Sequence, residues 1–347
     1  MRKSILFFLP VIAAFICQTG QLSAQQGRIE MVAESKNQWT GITISKEGRI
    51  FVNFPRWSDN VPVSVGELVD GEVKPYPDNF WNDWREGDAT NDNFVCVQSV
   101  YIDDQNNLWV LDPSSPNMKG VTGKAKLVCF NLSSNTLIKT YEFDETAAPK
   151  TSYLNDVRID NANSVAYITD SGEGAIVVLD LSSGEARRVL DDHESTEAQL
   201  TAIEVEGKTF TRKINSDGIE LSSDGRFLYY IPLMSETLYR IPTEILRDKH
   251  AMENEIAFRV EKVKDIGVTD GILFDSKGNL FIGGIRENSI KMLDASGQQL
   301  TTVVQDAQIK WPDTFARNAQ DEIFFTTSQI HLPVEEREAY RIFRIVK

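Results

Sequence analysis

Ile42–Val52 reads ITISKEGRIFV, and the same plan returns five times along the chain. The copies are Val100–Val110 (VYIDDQNNLWV), Val157–Ile168 (VRIDNANSVAYI), Ile219–Tyr230 (IELSSDGRFLYY), Ile272–Ile282 (ILFDSKGNLFI) and Phe315–Phe325 (FARNAQDEIFF). In each, an alternating apolar run enters a polar turn, and a second apolar run carries an aromatic near its end. Alternation of this kind marks a strand. Gly, Asn or Asp in the turn marks a hairpin, which needs backbone angles that these residues adopt readily. The aromatics Phe51, Trp109, Tyr167, Tyr229, Phe281 and Phe324 stand 58, 58, 62, 52 and 43 residues apart. A further hairpin-like segment follows the copies, as in Lys126–Phe143 (KLVCFNLSSNTLIKTYEF), Ala175–Leu190 and Ser289–Val304. Four short strands per unit, in six units of roughly 54 residues, read as propeller blades. The expected fold is therefore all-β: a six-bladed β-propeller with four antiparallel strands per blade, occupying residues 25–347 as one domain. Tyr340–Val346 (YRIFRIV) reads as a third strand with no fourth after it, and Arg28–Ala33 (RIEMVA) is a spare strand at the start. Pairing them closes the last blade with the N-terminal strand and covers both sheet edges.

Upstream of the first unit, Arg2 and Lys3 precede an apolar run from Ile5 to Cys17, followed by QTGQLSA ending at Ala24. A basic start, a short apolar stretch and small residues before a cut site describe a secretory signal peptide, here residues 1–24 cleaved after Ala24. The run is short for a bilayer span, and no other long apolar run appears, so the expected location is secreted or periplasmic. Without residues 1–24 the formal charge of −15 becomes −17. Nucleic acid and anionic membrane surfaces both demand a basic footprint, so neither is an expected partner. Only three histidines occur in the chain, His193, His250 and His331, too few and too scattered for a His-rich zinc site or a His-based nucleophile relay. No Gly-x-Ser-x-Gly and no Gly-rich phosphate loop is present. The exported chain keeps Cys96 and Cys129, which form either a disulfide or two buried thiols in neighbouring strands. Asn131-Leu132-Ser133 is a glycosylation sequon.

Four antiparallel strands alternate direction, so the loops between second and third strands share one face of the disc with the crossings into the next blade. Two places before each innermost strand stand Thr40, Gln98, Asn155, Asp217, Asp270 and Asp313. All six are polar and three are carboxylates, placed to surround the mouth of the central channel. Like charges converging in a concave site repel unless protons or a cation intervene. Asn155, Asp217, Asp270 and Asp313 are oxygen donors of the kind that suit calcium or another divalent cation. Asp-Gly before a strand is otherwise turn chemistry, the alternative for Asp217-Gly218 and Asp270-Gly271. The crossing into the second blade, Tyr76–Asn93 (YPDNFWNDWREGDATNDN), is long and sets Trp81 and Trp84 among acids and amides. Those tryptophans either wall a ligand or cover the first blade. Aromatic rings beside carboxylates suit a small organic cation or an amine-bearing aromatic.

These segments resemble the major royal jelly / yellow protein family, from about Trp39 to the C-terminus. The pieces that carry the likeness are VQSVYIDDQNNLWVLD (Val97–Asp112), KLVCFNL (Lys126–Leu132), YLND (Tyr153–Asp156) with AYITDSG (Ala166–Gly172), GIELSSDGRFLYYIPL (Gly218–Leu233) with TLYRIP (Thr237–Pro242), and WPDTFA (Trp311–Ala316). The resemblance implies an exported six-bladed propeller that binds a small aromatic or amine ligand at the channel mouth, with dopachrome tautomerase-like conversion in some members. In amine-binding members a Thr and an Asn of the last blade matter. Thr314 fits the first role, and Ser328 stands where the Asn usually falls. A more distant likeness to the gluconolactonase family implies the alternative, a divalent-metal-dependent lactonase-like hydrolase. Asn155, Asp217 and Asp270 match its metal positions, while Thr40 replaces the first-blade Glu and Asp313 stands in from the sixth blade. The candidate ligand-binding set is thus Gln98, Asn155, Asp217, Asp270, Asp313, Thr314, Ser328, Trp81 and Trp84.

Overall fold

A computed structural model describes residues 27–90 and 92–346. The signal segment, its cleavage after Ala24 and Cys17 lie outside the described residues. Six four-stranded antiparallel sheets form the blades. Their innermost strands are Ile42–Ile44, Ser99–Ile102, Leu154–Asp160, Ser216–Leu221, Ile272–Phe274 and Pro312–Arg317. In the sixth blade the order from the axis outward is Pro312–Arg317, Ile323–Thr327, Tyr340–Val346 and Arg28–Ser35. The N-terminal strand runs antiparallel to the C-terminal one from Arg28 opposite Val346 to Ser35 opposite Tyr340. The closure expected from the two spare strands is the closure observed, and it removes two open edges at once.

Each innermost hairpin turns through a residue of positive φ: Gly48, Asn106, Ser164, Gly225, Gly278 and Asp321. Five of the six are the Gly, Asn or Asp that the turn chemistry calls for. Between blades lie layers of apolar side chains. Phe51, Tyr76, Phe94 and Phe130 pack between blades 1 and 2, and Tyr167, Ile176, Tyr230 and Ile241 between blades 3 and 4. Cys96 and Cys129 are both buried free thiols, so of the two alternatives the structure has the thiols. Among the described residues no helix is long and apolar enough to cross a membrane.

The crossing from blade 3 to blade 4 holds a feature the repeat pattern does not announce. Ile203–Val205 pairs with Lys208–Phe210 as a separate two-stranded hairpin. Glu206 and Gly207 both have positive φ at its two-residue turn, the requirement of a tight hairpin. Ile203, Val205 and Phe210 bury themselves against Leu233, Met234, Val268, Ile285 and Trp311. Two short helices, Thr243–Arg247 and Glu253–Phe258, follow the third strand of the fourth blade.

Asp-Gly before a strand proves to be more than turn chemistry. A Cβ on Gly218 would lie 2.3 Å from the Asp270 carbonyl oxygen, and one on Gly271 would lie 2.1 Å from that of Asp313. Gly271 also donates its N–H to that same carbonyl at 2.7 Å. Glycine at these two places lets the backbone of each neighbouring blade nest against the next, which draws the preceding aspartates together. Gly271→Ala should cost about 1–3 kcal/mol, the usual penalty for overpacking a closed site. Chemical denaturation of the variant beside the wild type measures it, and unchanged stability would show that the blades have room to part.

Candidate functional site

The cavity at the channel mouth opens on the expected face. It encloses about 1010 Å³ and is lined by Gln98, Asn155, Asp217, Asp270 and Asp313 at its floor, with Phe54, Trp57, Tyr153, Leu233 and Tyr340 among its walls. The three aspartates are buried, at 3%, 9% and 5% exposure. Local backbone irregularity aims them. The pairing of first and second strands slips between Leu154 and Val157, between Ser216 and Gly218, and between Pro312 and Phe315. Such bulges re-aim side chains at the rim of a sheet, and here they turn Asn155, Asp217 and Asp313 toward the axis.

A continuous set of hydrogen bonds runs around the ring. Trp57 Nε1 donates to Tyr153 Oη at 2.7 Å, and Tyr153 Oη donates to Gln98 Oε1 at 2.9 Å. Gln98 Nε2 donates to Asn155 Oδ1 at 3.1 Å, and Asn155 Nδ2 to Asp217 Oδ2 at 2.8 Å. The Asp217 and Asp270 carboxyls adjoin one another, and the Asp270 charge helps to raise Asp217. Trp311 Nε1 closes the sequence by donating to Asp270 Oδ2 at 2.7 Å. Trp311 is itself wedged between Phe210 of the extra hairpin, 5.0 Å away, and His331, against which it stacks at 5.6 Å. His331 Nε2 in turn meets the Glu206 carboxylate at the hairpin's turn, 2.9 Å away. The hairpin thereby fixes the indole that holds Asp270.

Among the described residues, none of the three aspartates has a lysine or arginine partner within ion-pair distance. Burial raises the Asp217 pKa well above its ordinary value, with the Asp270, Asp156 and Asp313 charges adding to it. Burial also lifts Asp270, to about 6, against the opposing pull of the Trp311 N–H. Asp313 is raised well above the usual range, first by burial and then by Asp270. Beneath them Asp156 is raised by burial and pulled back by the Arg158 charge. Arg158 is otherwise spent on Glu220, 3.2 Å away, in a buried pair deeper in the channel. Two full charges about 4 Å apart repel by about 4 kcal/mol at an effective dielectric near 20. Burial and mutual repulsion therefore favour keeping a proton on the Asp217–Asp270 pair until higher pH or a cation removes it.

The structure places the remaining candidates differently. Trp81 does not line the cavity; it packs on Phe94 and Phe130 at 4.9 and 5.1 Å, between blades 1 and 2. Trp84 is buried with Val95 and Cys96, under the Arg56 guanidinium at 5.3 Å. Both cover the blade rather than wall the ligand, because the long crossing folds back onto hydrophobic surface that would otherwise be wet. The tryptophan in the cavity is Trp57, at the end of the first blade's NFPRW loop. Thr314 stands beside the site and donates its hydroxyl to Asp313 Oδ1 at 3.1 Å. Ser328 is fully buried, and among the described residues its hydroxyl has no hydrogen-bond partner. Neither residue lines the cavity, and of the two Thr314 supports Asp313. Thr40 is buried, accepting from Asn53 Nδ2 at 3.0 Å. Tyr153, Phe54 and Tyr340 were not singled out by residue type, since apolar and phenolic side chains at strand ends look like core. Their one legible signal is position, on the loops and crossings of the cavity face.

The donor set does not make the oxygen cage a divalent ion takes. Asn155 Nδ2 already occupies Asp217 Oδ2 and Trp311 Nε1 occupies Asp270 Oδ2, and no group of three acids, histidines or cysteines among the described residues is arranged to hold a metal.

A family model described as "Major royal jelly protein" matches residues 95–343. The chain belongs to the major royal jelly protein family. Major royal jelly protein 3 of Apis mellifera is 27% identical over 257 residues, covering 70% of this chain and 46% of that protein. Protein yellow of Drosophila pseudoobscura pseudoobscura is 27% identical over 228 residues, covering 59% of this chain and 40% of that one. The chain thus spans about half the length of the curated relatives it matches. Among solved structures, a gluconolactonase from Xanthomonas campestris aligns with a TM-score of 0.58 at 12% identity, covering 92% of this chain and 89% of that one. Virginiamycin B lyase from Staphylococcus aureus aligns with a TM-score of 0.54 at 13% identity, covering 93% and 100%. At those identities the structural likenesses show the shared propeller alone.

The raised carboxyl pKa values have a consequence for stability. An unfolded aspartate releases its proton near about pH 3.9, whereas folded Asp270 releases it near 6. Between those values the folded state holds more protons, so stability falls as pH rises from about 4 to above 6. Melting temperatures of this family member across that range should decline, and Asp270→Asn should flatten the decline. A profile that rises through the window in both proteins would contradict the shared-proton description.

Proposed function

We propose that this major royal jelly family member is an exported binding protein for a small aromatic amine, held at the mouth of the propeller channel. The observation that carries the reading is the unpaired floor: Asp217, Asp270 and Asp313 converge under an aromatic-walled cavity, and among the described residues no lysine or arginine stands within ion-pair distance of them. A protonated amine supplies the missing charge and displaces the shared proton. Trp57, Phe54 and Tyr153 offer faces for the ring and for the ammonium. Gln98 and Asn155, already linked at 3.1 Å, hold the carboxylates in place from the side.

The Asp217–Asp270 pair also suits proton transfer within a bound aromatic, of the dopachrome tautomerase kind. One carboxyl gives a proton and its ionised partner takes one, so a tautomerisation proceeds with no net gain or loss. The basic start, apolar run and small residues that end at Ala24 support export, and the intact mass of secreted protein should correspond to a chain beginning at Gln25.

Calorimetry with catecholamines and indole amines tests the binding. Affinity should rise with pH through about 6 as Asp270 ionises, because the ammonium binds the deprotonated floor. Asp217→Asn should weaken binding by about tenfold or more, the effect of removing one buried charge-assisted contact. A dopachrome conversion assay on the same proteins tests turnover. Absence of heat with every amine, or binding indifferent to Asp217→Asn, would reject the reading.

A further inference from the structure

The charges lining the cavity are sorted by height. Its acids are the three buried aspartates at the floor, and its bases are Lys36, Lys119, Lys150, Arg212, Lys213 and Arg337. In a chain with 51 acids and 36 bases, a rim with six bases and no acid runs against the composition. Five of these six are exposed and Arg337 is half-buried. Only Lys213 has a carboxylate partner, Glu197 at 2.8 Å. Among the described residues Lys36, Lys119, Lys150, Arg212 and Arg337 have no acid within ion-pair distance.

Parts of this rim are held in place. Arg337 donates through Nε to the Leu332 carbonyl and through Nη1 to Gln38 Oε1, both at 2.9 Å. Gln38 in turn donates to the Ser328 carbonyl at 2.8 Å. Lys119 lies on the loop between the second and third strands of the second blade and Lys150 on the crossing into the third, and the backbone ties the two segments together. Val121 N–H donates to the Lys150 carbonyl at 2.8 Å. Gly120, at φ +99, presses against that same carbonyl so closely that a Cβ there would stand 2.7 Å from it. Two cations are therefore kept on adjoining loops with nothing negative between them. Such an arrangement repels itself in the empty protein and rewards an anion that enters.

We propose that the cavity's ligand is charged at both ends: an aromatic body whose ammonium rests on the aspartate floor and whose carboxylate, or another small anionic group, is received by Lys119, Lys150, Arg212 and Arg337 at the rim. This extends the amine-binding reading and rests on it for the inner end only. A cavity of about 1010 Å³ has a linear scale of order 10 Å, so the two charges belong on opposite sides of a ring rather than on one carbon, where a single desolvated pocket would have to satisfy both. The rim then contributes selectivity, turning away doubly cationic amines that the floor alone would accept.

Three probes separate the two ends: benzylamine carries the cation, 4-methylbenzoate the anion, and 4-(aminomethyl)benzoate both. At low salt and neutral pH, 4-(aminomethyl)benzoate should bind the full-length secreted protein about tenfold or more tightly than benzylamine. In Lys119→Glu/Lys150→Glu that advantage and the binding of 4-methylbenzoate should both be lost, while benzylamine binding persists. Arg212→Glu, on a separate loop, should reduce the advantage in the same direction and guards against a folding defect in the double variant. Raising salt should erode the advantage several-fold, since exposed charges are screened. Benzylamine that binds as tightly as 4-(aminomethyl)benzoate would overturn the rim proposal and leave the floor intact. Binding of 4-methylbenzoate that the lysine variants abolish, without any binding of benzylamine, would uphold the rim and reject the floor. Failure of all three probes would overturn both.

Discussion

Closure of a ring around an axis brings six chain segments to one point, and in this protein three of them bring a carboxylate. Asp217, Asp270 and Asp313 are each buried, and the burial is imposed by the way Gly218 and Gly271 let neighbouring blades nest. Buried carboxylates without a cationic partner are expensive unless they are protonated or hydrogen-bonded. The molecule uses both remedies. Burial favours keeping a proton on the Asp217–Asp270 pair, and Trp311, Asn155 and Thr314 supply donors around the set. On the amine-binding proposal, that floor would accept a cation in exchange for a proton and so couple ligand affinity to pH.

The rest of the cavity follows from how that floor is supported. Trp311 is held between Phe210 and His331, and Glu206 pins His331. A short hairpin inserted between blades 3 and 4 thus governs an aspartate of blade 5 through an indole and a histidine of blade 6. Stacking at about 5–6 Å with one direct hydrogen bond is a stiff linkage, and stiffness matters here because an acid displaced from the shared-proton geometry loses its function as donor or acceptor. On the opposite side, Trp57 and Tyr153 continue the same hydrogen-bond sequence up the wall. Floor and wall are one network, so a ligand that touches Trp57 is felt at Asp217.

Membership of the major royal jelly protein family rests on the match over residues 95–343. The likeness to a gluconolactonase and to virginiamycin B lyase is one of fold, and fold alone does not choose among activities. The choice lies in the channel mouth. Here it holds hydrogen-bonded acids beneath aromatic walls and a basic rim, in place of an oxygen cage for an ion.

Repetition, strand alternation and turn residues were enough to read the six blades, the N-terminal strand that completes the last one, and the ring of Gln98, Asn155, Asp217, Asp270 and Asp313. These are local patterns whose period is forced by pairing geometry, so a linear reading captures them. The hairpin at Ile203–Phe210 escaped that reading because it occurs once and has no partner copy, although its Glu206-Gly207 turn was in plain view. Trp81 and Trp84 show the other limit. Their residue types suit a ligand wall and a core equally well, and only the path of the crossing sends them into the core while Trp57 enters the cavity. The sorting of acids below and bases above is likewise a property of three dimensions. Lys119, Lys150, Arg212 and Arg337 lie far apart along the chain, and it is ring closure that sets them around one opening.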